Sequence, residues 1–252
     1  MPICKLIFRL DFNFNFNFIK NQGSIFEILK NGLTGKTIKN IDFGENINNR
    51  LMFARYLSDD KHFFKQLNVQ PTNIDGIFEN TKGIEMSKLI FDEDGFLSLT
   101  KTVTNFCREL KIDKILRSGF RILYFNKLCD SSKEINDAFF RLFRNESISK
   151  INKCLGKIED YGILFNGISV ENIKYHLRTG PFTQNEFPNY LNYTEFELKE
   201  NEKYDFMIDL DLYEENFLLS KRDISKLYLP IIDKAEQIIK AVEEIIEINL
   251  EG

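Results

Sequence analysis

The chain has 252 residues, enough to bury a core without disulfide or metal support. Hydrophobic residues make up 43% and charged residues 29%, a folded composition that excludes a disordered chain. A formal charge of −4 excludes a whole-chain basic signature for nucleic acid or anionic membrane, leaving only local basic stripes to consider.

The chain carries 25 phenylalanines and no tryptophan. Cys4, Cys107, Cys129 and Cys154 lie far apart and form no CxxC pair, so buried thiols in a reducing compartment are expected rather than a zinc knuckle or a disulfide scaffold. The opening Met1-Pro2-Ile3-Cys4-Lys5 lacks the pattern of a signal peptide. No window approaches the ~18 apolar residues of a membrane helix. A cytoplasmic protein without membrane contact is the expectation.

In chain order, Leu10, Phe12, Phe14, Phe16 and Phe18 alternate with Asp11, Asn13, Asn15 and Asn17. Period-2 alternation predicts a long strand with a buried phenylalanine face and a wet face, as in an antiparallel sheet. Residues Ser24 to Asn31 read as a short helix capped by Ser24 and closed by Gly32 and Gly35. Thr37 to Thr81 gives mixed short-helix and loop signals, with a turn marked by Pro71, Asn73, Asp75 and Gly76. A strand is predicted over Ile84 to Asp92. A helix follows, with Phe96, Leu99, Val103, Phe106, Cys107 and Leu110 at three-and-four spacing.

Ile115 to Leu128 is apolar and β-prone, interrupted by Gly119, and Glu134 to Arg144 reads as a helix with Ile135, Ala138, Phe139 and Leu142 on one side. Tyr161 to Val170 is a further strand, and Pro181 and Pro188 bracket an irregular loop. Tyr193 to Leu198 and Tyr204 to Tyr213 then read as a hairpin. The last segment predicts the longest helix, with a Ser220/Asp223 capping box and a stripe through Ile224, Leu227, Ile231, Ala235, Ile238, Val242, Ile245 and Ile246. Pro230 inside it predicts a kink or break. The fold class expected is α+β: an antiparallel sheet with one Phe-rich buried face, covered by helices that include the long C-terminal one. Residues 1–252 read as a single domain, loosely organised in two halves that break near 112–150.

Three groups of residues bear on chemistry. On the strand ending Asp209-Leu210-Asp211, alternation puts Asp205, Met207, Asp209 and Asp211 on one face. Carboxylates two residues apart on a strand are ~7 Å apart. With Glu214 or Glu215 they would suit magnesium or manganese in phosphoryl transfer, making Asp209 and Asp211 the catalytic candidates and Asp209, Asp211 and Glu214 the metal candidates. The plain alternative is the wet face of a half-buried strand. Arg117 and Arg121 flank Gly119 on one face and are the anion-binding candidates. If that strand neighbours the acidic one, the two stripes neutralise each other in cross-strand ion pairs, which is the favoured arrangement. His62 and His176 sit in no metal-binding spacing, and nucleotide-loop and serine-hydrolase motifs are missing.

Arg117-x-Gly119-x-Arg121 and the Asp209-x-Asp211 strand resemble a sporadically distributed family of uncharacterised prokaryotic proteins. That family has a middle strand reading roughly Arg-x-Gly-x-Arg-Tyr-x-Asn, a late Asp-x-Asp strand and a closing helix. Here Ile122 stands in the tyrosine position and Asn126 comes later. The resemblance implies the architecture and no activity. The C-terminal helix, with Glu243, Glu244 and Glu247, stands where CRISPR RNA-processing endonucleases carry a glycine-rich loop, which sets that class aside. The leading expectation is a non-enzymatic binding or interaction module without a cofactor, self-associating or part of a prokaryotic assembly, with a protein partner ahead of nucleic acid. The alternative is a divalent-metal-dependent phosphodiesterase or nuclease using Asp209 and Asp211.

Overall fold

The computed structural model describes residues 2–33, 42–46, 50–82, 90, 95–96, 98–129, 132–142, 161–169, 171–191, 193–194, 204–219 and 224–251. Nine strands form one antiparallel sheet: β1 (Ile3–Asp11), β2 (Asp42–Asn46), β3 (Leu51–Leu57), β4 (Phe63–Val69), β5 (Asn73–Asn80), β6 (Lys114–Asn126), β7 (Ile163–Ile168), β8 (Lys174–Pro181) and β9 (Phe206–Leu218). Among the described residues there are six α-helices: α1 (Phe16–Lys20), α2 (Gln22–Leu33), α3 (Ser98–Glu109), α4 (Ser132–Leu142), α5 (Phe187–Tyr190) and α6 (Ile224–Glu251). None of them is long and apolar enough to cross a membrane. The α+β class and the Phe-rich, helix-covered face follow the sequence reading.

The spatial order is β2-β3-β4-β5-β1-β6-β9-β8-β7. Each half therefore opens with a strand, passes through helix, and returns as a meander whose last strand pairs with the first. The two opening strands, β1 and β6, meet at the centre with Phe8 opposite Phe120. A two-fold axis through that pair exchanges Lys5 with Arg117, Ile7 with Gly119 and Arg9 with Arg121. Carried outward through the registers, it lays Asp75 on Asp211, Glu79 on Glu215 and Asn80 on Asn216. Phe8-Arg9-Leu10 thus falls on Phe120-Arg121-Ile122, and the identities on β5 and β9 coincide in the same register. The two halves thus share strand order and register about this axis. The likeness is far clearer in three dimensions than along the chain.

The pleat divides every strand between two faces. Phe8, Phe78, Phe120 and Phe206 lie on the helix-covered face, in a core completed by Leu29, Phe106, Phe139 and Ile232. At its centre Phe96 packs edge-on against Phe8 and Tyr228, with ring centroids 5.3 Å apart in both pairs. Tyr228 keeps its hydroxyl satisfied within 3.2 Å of Ser118 Oγ. The helix α6 runs unbroken through Pro230, because Tyr228, Ile231, Ile232 and Ala235 are all buried while Pro230 faces out. The buried stripe uses Tyr228, Ile232 and Ile239 and leaves Ile245 exposed, a small rotation from the pattern expected.

Other expectations are corrected. The first strand spans Ile3–Asp11, not the phenylalanine run, and only Leu10 and Asp11 of that run belong to it. Its asparagines end the strand. Asn15 caps α1 by accepting from Asn17 N at 2.8 Å, and its Nδ2 donates to Leu110 O at 2.7 Å. Phe12 and Phe18 are buried, but Phe14 and Phe16 are exposed. The next helix starts at Gln22 and contains Gly32, where any Cβ would sit 2.2 Å from Thr102 Cγ2. Four strands, β2 to β5, occupy the ambiguous stretch, and Gly119 lies inside an uninterrupted β6. Of the expected hairpin, residues 195–203 lie outside the described residues, and β9 is paired along its two edges by β6 and β8. Of the strand expected over Ile84 to Asp92, only Ile90 is described, and it is helical. Cys154, Gly35 and the Ser220/Asp223 box lie outside the described residues. Burial pushes the Cys4 and Cys107 thiols up to about 12, as expected for inert core thiols.

Among the described residues the second face of the sheet has no helical layer of this kind. One corner is crossed by a strap, described over residues 182–191 and 193–194. Its Phe182, Phe187 and Leu191 pack on Ile3, Leu123, Phe125 and Met207. A buried ion pair fastens it: Lys5 Nζ lies 2.7 Å from Glu79 Oε1, with side chains 6% and 0% exposed. Lys5 also donates to Tyr190 O at 2.7 Å, while Glu79 accepts from Tyr193 N at 2.9 Å and Thr194 N at 3.2 Å. The Tyr193 ring stacks on Phe64, with centroids 4.2 Å apart.

Glu79→Gln leaves the Lys5 charge buried without its counter-ion and is expected to cost about 3–5 kcal/mol in denaturant unfolding. Proteolysis within the strap should accelerate at the same time. Gly76 sits opposite Phe8 with its absent Cβ 2.0 Å from the Phe8 ring, so Gly76→Val should cost about 1–3 kcal/mol by overpacking. Gly23→Ala, on the exposed side of α2 with nothing within 4 Å, should instead stabilise by about 0.5–1 kcal/mol. Thermal midpoints of the two glycine variants check the contrast.

Candidate functional site

The open face is built from β1, β6, β9 and β8, whose outward positions carry charge. Asp209, Asp211, Tyr213 and Glu215 alternate with Leu210 and Leu212, which are fully buried in the core. On β6 the outward positions are Arg117, Gly119 and Arg121, and on β8 they are Lys174, His176 and Arg178. The arginine and aspartate strands are direct neighbours.

The pairs form diagonally across that boundary. Arg121 donates from Nε and Nη2 to both oxygens of Asp209, each at 2.7 Å. Arg117 donates from Nη2 to Asp211 Oδ2 at 2.7 Å. A bidentate guanidinium–carboxylate contact fixes orientation as well as charge. The hydrogen bonds that Arg121 donates to Asp209 hold it more firmly in its charged form. Arg9 binds Asp11 at 2.7 Å, and Lys174 binds Glu215. In the two β6–β9 pairs the cations are 40–46% exposed and the aspartates only 17–24%. The carboxylates thus lie beneath the more exposed guanidinium groups and act as struts.

Gly119 has a specific part in this. The closest groups to its absent Cβ are Asp211 Oδ1 at 3.7 Å and Arg117 Nε at 3.9 Å. What approaches the backbone here is therefore the Arg117 side chain, which lies across Gly119 and places its guanidinium 4.4 Å from the Tyr213 ring centre. Arg117 Nε is buried there without a hydrogen-bond partner. His176 stacks on the same tyrosine at 5.9 Å, nearly parallel, and its Nδ1 meets Asn166 Oδ1.

The sequence-predicted residues divide accordingly. Arg117, Arg121, Asp209 and Asp211 come together in one array. Glu214 does not join them: the pleat turns it to the helix side, opposite Ser118, so the expected set Asp209, Asp211 and Glu214 is not assembled. Asp205 is withdrawn as well, buried and accepting from Leu128 N and Cys129 N at 3.0 Å each. Among the described residues no three His, Cys, Asp or Glu side chains group closely enough to hold a metal ion. His62 sits in the β3–β4 turn against Thr81 Oγ1 at 3.0 Å. Sequence reasoning missed Lys5, Arg9, Lys174, Arg178 and Tyr213. The signal was present on β8, where Lys174, His176 and Arg178 alternate with Tyr175, Leu177 and Thr179.

Deeper in the face, Asp75 accepts from Asn68 Nδ2 at 2.7 Å, and burial raises its carboxyl above the ordinary aspartate range. The folded state then holds the proton more tightly than the unfolded state, so stability falls as pH rises from the unfolded value through the folded one. Asp75→Asn should match the parent in acid and exceed it in stability above that window. Unfolding free energies measured across pH for both proteins check this.

Compared with known proteins, the chain matches no family model and no curated protein.

Proposed function

We propose that this protein is a non-enzymatic binding module and that its recognition surface is the open face of the sheet. The observation that carries this reading is the array itself. Helices cover one side of the sheet, while the other holds a fixed pattern of half-exposed arginines over lower-lying aspartates. Rigid, pre-organised polar groups of both signs suit the rim and register of a protein interface. A polyanion would gain little from a surface where Arg9, Arg117, Arg121 and Lys174 are already matched by carboxylates. A protein partner, or another copy of this chain, fits better than nucleic acid. No cofactor forms part of this reading.

The arrangement also bears on the phosphodiesterase alternative, in which magnesium or manganese would sit on Asp209 and Asp211. Each aspartate is clamped by an arginine, and a metal ion would have to displace both guanidinium groups. With Glu214 on the other face, the third oxygen ligand would have to come from elsewhere.

Two measurements test the reading. A photo-crosslinker at Arg178 should capture a protein in native extract, whereas one at Gln237 on the exposed side of α6 should not. Equal capture from the two positions would sink the open-face assignment. Labelled RNA, single-stranded DNA and duplex DNA should remain intact in magnesium or manganese. Cleavage by the parent that disappears in Asp209→Asn would instead establish the metal-dependent alternative.

A further inference from the structure

The pseudo-two-fold axis relates two corners of the open face that differ in one respect. In the first half, Lys5 and Glu79 stand directly opposite each other on β1 and β5 and grip a polypeptide backbone. Glu79 receives the N–H groups of Tyr193 and Thr194, and Lys5 donates to the carbonyl of Tyr190. In the second half, the axis carries this pair onto Arg117 and Glu215, which stand directly opposite each other on β6 and β9. The charges and the registration are the same. Among the described residues no strap crosses this corner, and Glu215 and Lys174 are 36% and 39% exposed, where Glu79 is fully buried.

We propose that the Arg117–Glu215 corner is a docking site for main chain, taking a loop of a partner protein as the Lys5–Glu79 corner takes Tyr190, Tyr193 and Thr194. The inference rests on the reading of the open face as a binding surface and specifies what part of a partner it binds. Glu215 accepts two adjacent N–H groups, and an Arg117 N–H not engaged by Asp211 donates to a carbonyl of the same loop. Three positions change between the corners in the direction that suits an incoming chain. Arg117 replaces Lys5 and presents a fork of donors instead of a single ammonium. Tyr213 replaces Ile77 and steadies that fork from beneath. Lys174 replaces Gln66 and holds Glu215 in place until a ligand arrives. The strap itself shows that this geometry, in this sheet, closes on backbone.

The test uses the full chain and two probes, a phage-displayed random peptide library and a synthetic peptide of the strap sequence from Phe182 to Thr194. Selected peptides should bind the parent and lose roughly tenfold or more in affinity with Glu215→Lys and with Arg117→Glu. Arg55→Glu, at the far edge of the same face, should leave their binding unchanged, and all three variants should keep the parental thermal midpoint. The strap peptide should compete with the selected peptides on the parent but not on Glu215→Lys. Peptides that depend on Arg55 and ignore Glu215 would overturn the corner while leaving the open face as the binding surface. Enrichment of no peptide, or of peptides indifferent to all three substitutions, would overturn the corner outright. The crosslinks from Arg178 then decide separately whether the face binds anything.

Discussion

The seam between β1 and β6 is the constraint from which the rest of the molecule follows. Two opening strands pair antiparallel at the middle of the sheet, so each half must build its meander outward, and the sheet reaches nine strands from two modest units. Phe8 and Phe120 meet on the axis and turn inward to the Phe96–Tyr228 cluster. The two halves therefore share one core. Arg9 and Arg121, next along each strand, turn outward for the same reason of pleat. One register thus fixes the apolar centre and the charged face together.

Charge on the open face is organised by depth rather than by sign alone. Carboxylates on β9 sit low between rows of cations on β6 and β8, and each aspartate of the Asp-x-Asp pair serves an arginine. Such partly exposed pairs contribute little to stability, of the order of 0–1 kcal/mol each. Their effect is to hold long side chains in one orientation. The Lys5–Glu79 pair behaves differently. It is buried, it satisfies three backbone groups of the strap, and its loss would leave a charge and several donors without partners. The residues that the axis lays on Lys5 and Glu79, Arg117 and Glu215, instead take separate surface partners, Asp211 and Lys174.

The phenylalanine run at the start of the chain shows how a strong local pattern is overruled. Alternating phenylalanine and asparagine satisfies the strand template, yet the asparagines find better partners. Asn15 and Asn17 reach the Leu110 carbonyl at the C-terminal end of α3, and Asn15 N reaches Pro71 O. These bonds turn the chain into a short helix and leave Phe14 and Phe16 outside. Competition between side-chain and ladder hydrogen bonds, which depends on segments far along the chain, decided the outcome.

The sequence by itself determined the class of the protein and much of its core. Period-2 stretches such as β6 and β9, and three-and-four spacing in α3, α4 and α6, are local properties set by which positions must be apolar. It also placed Arg117 and Arg121 on one face, and Asp209 and Asp211 on another, because the pleat is fixed at two residues. Only the tertiary structure decided that those faces are adjacent, that Glu214 is turned away, and that Arg117 lies across Gly119. Strand order does not follow from local pattern, since any two amphipathic strands can pair. The strap and the pseudo-two-fold axis are of the same kind. Both arise from contacts between residues more than a hundred positions apart in the chain, which no window of sequence contains.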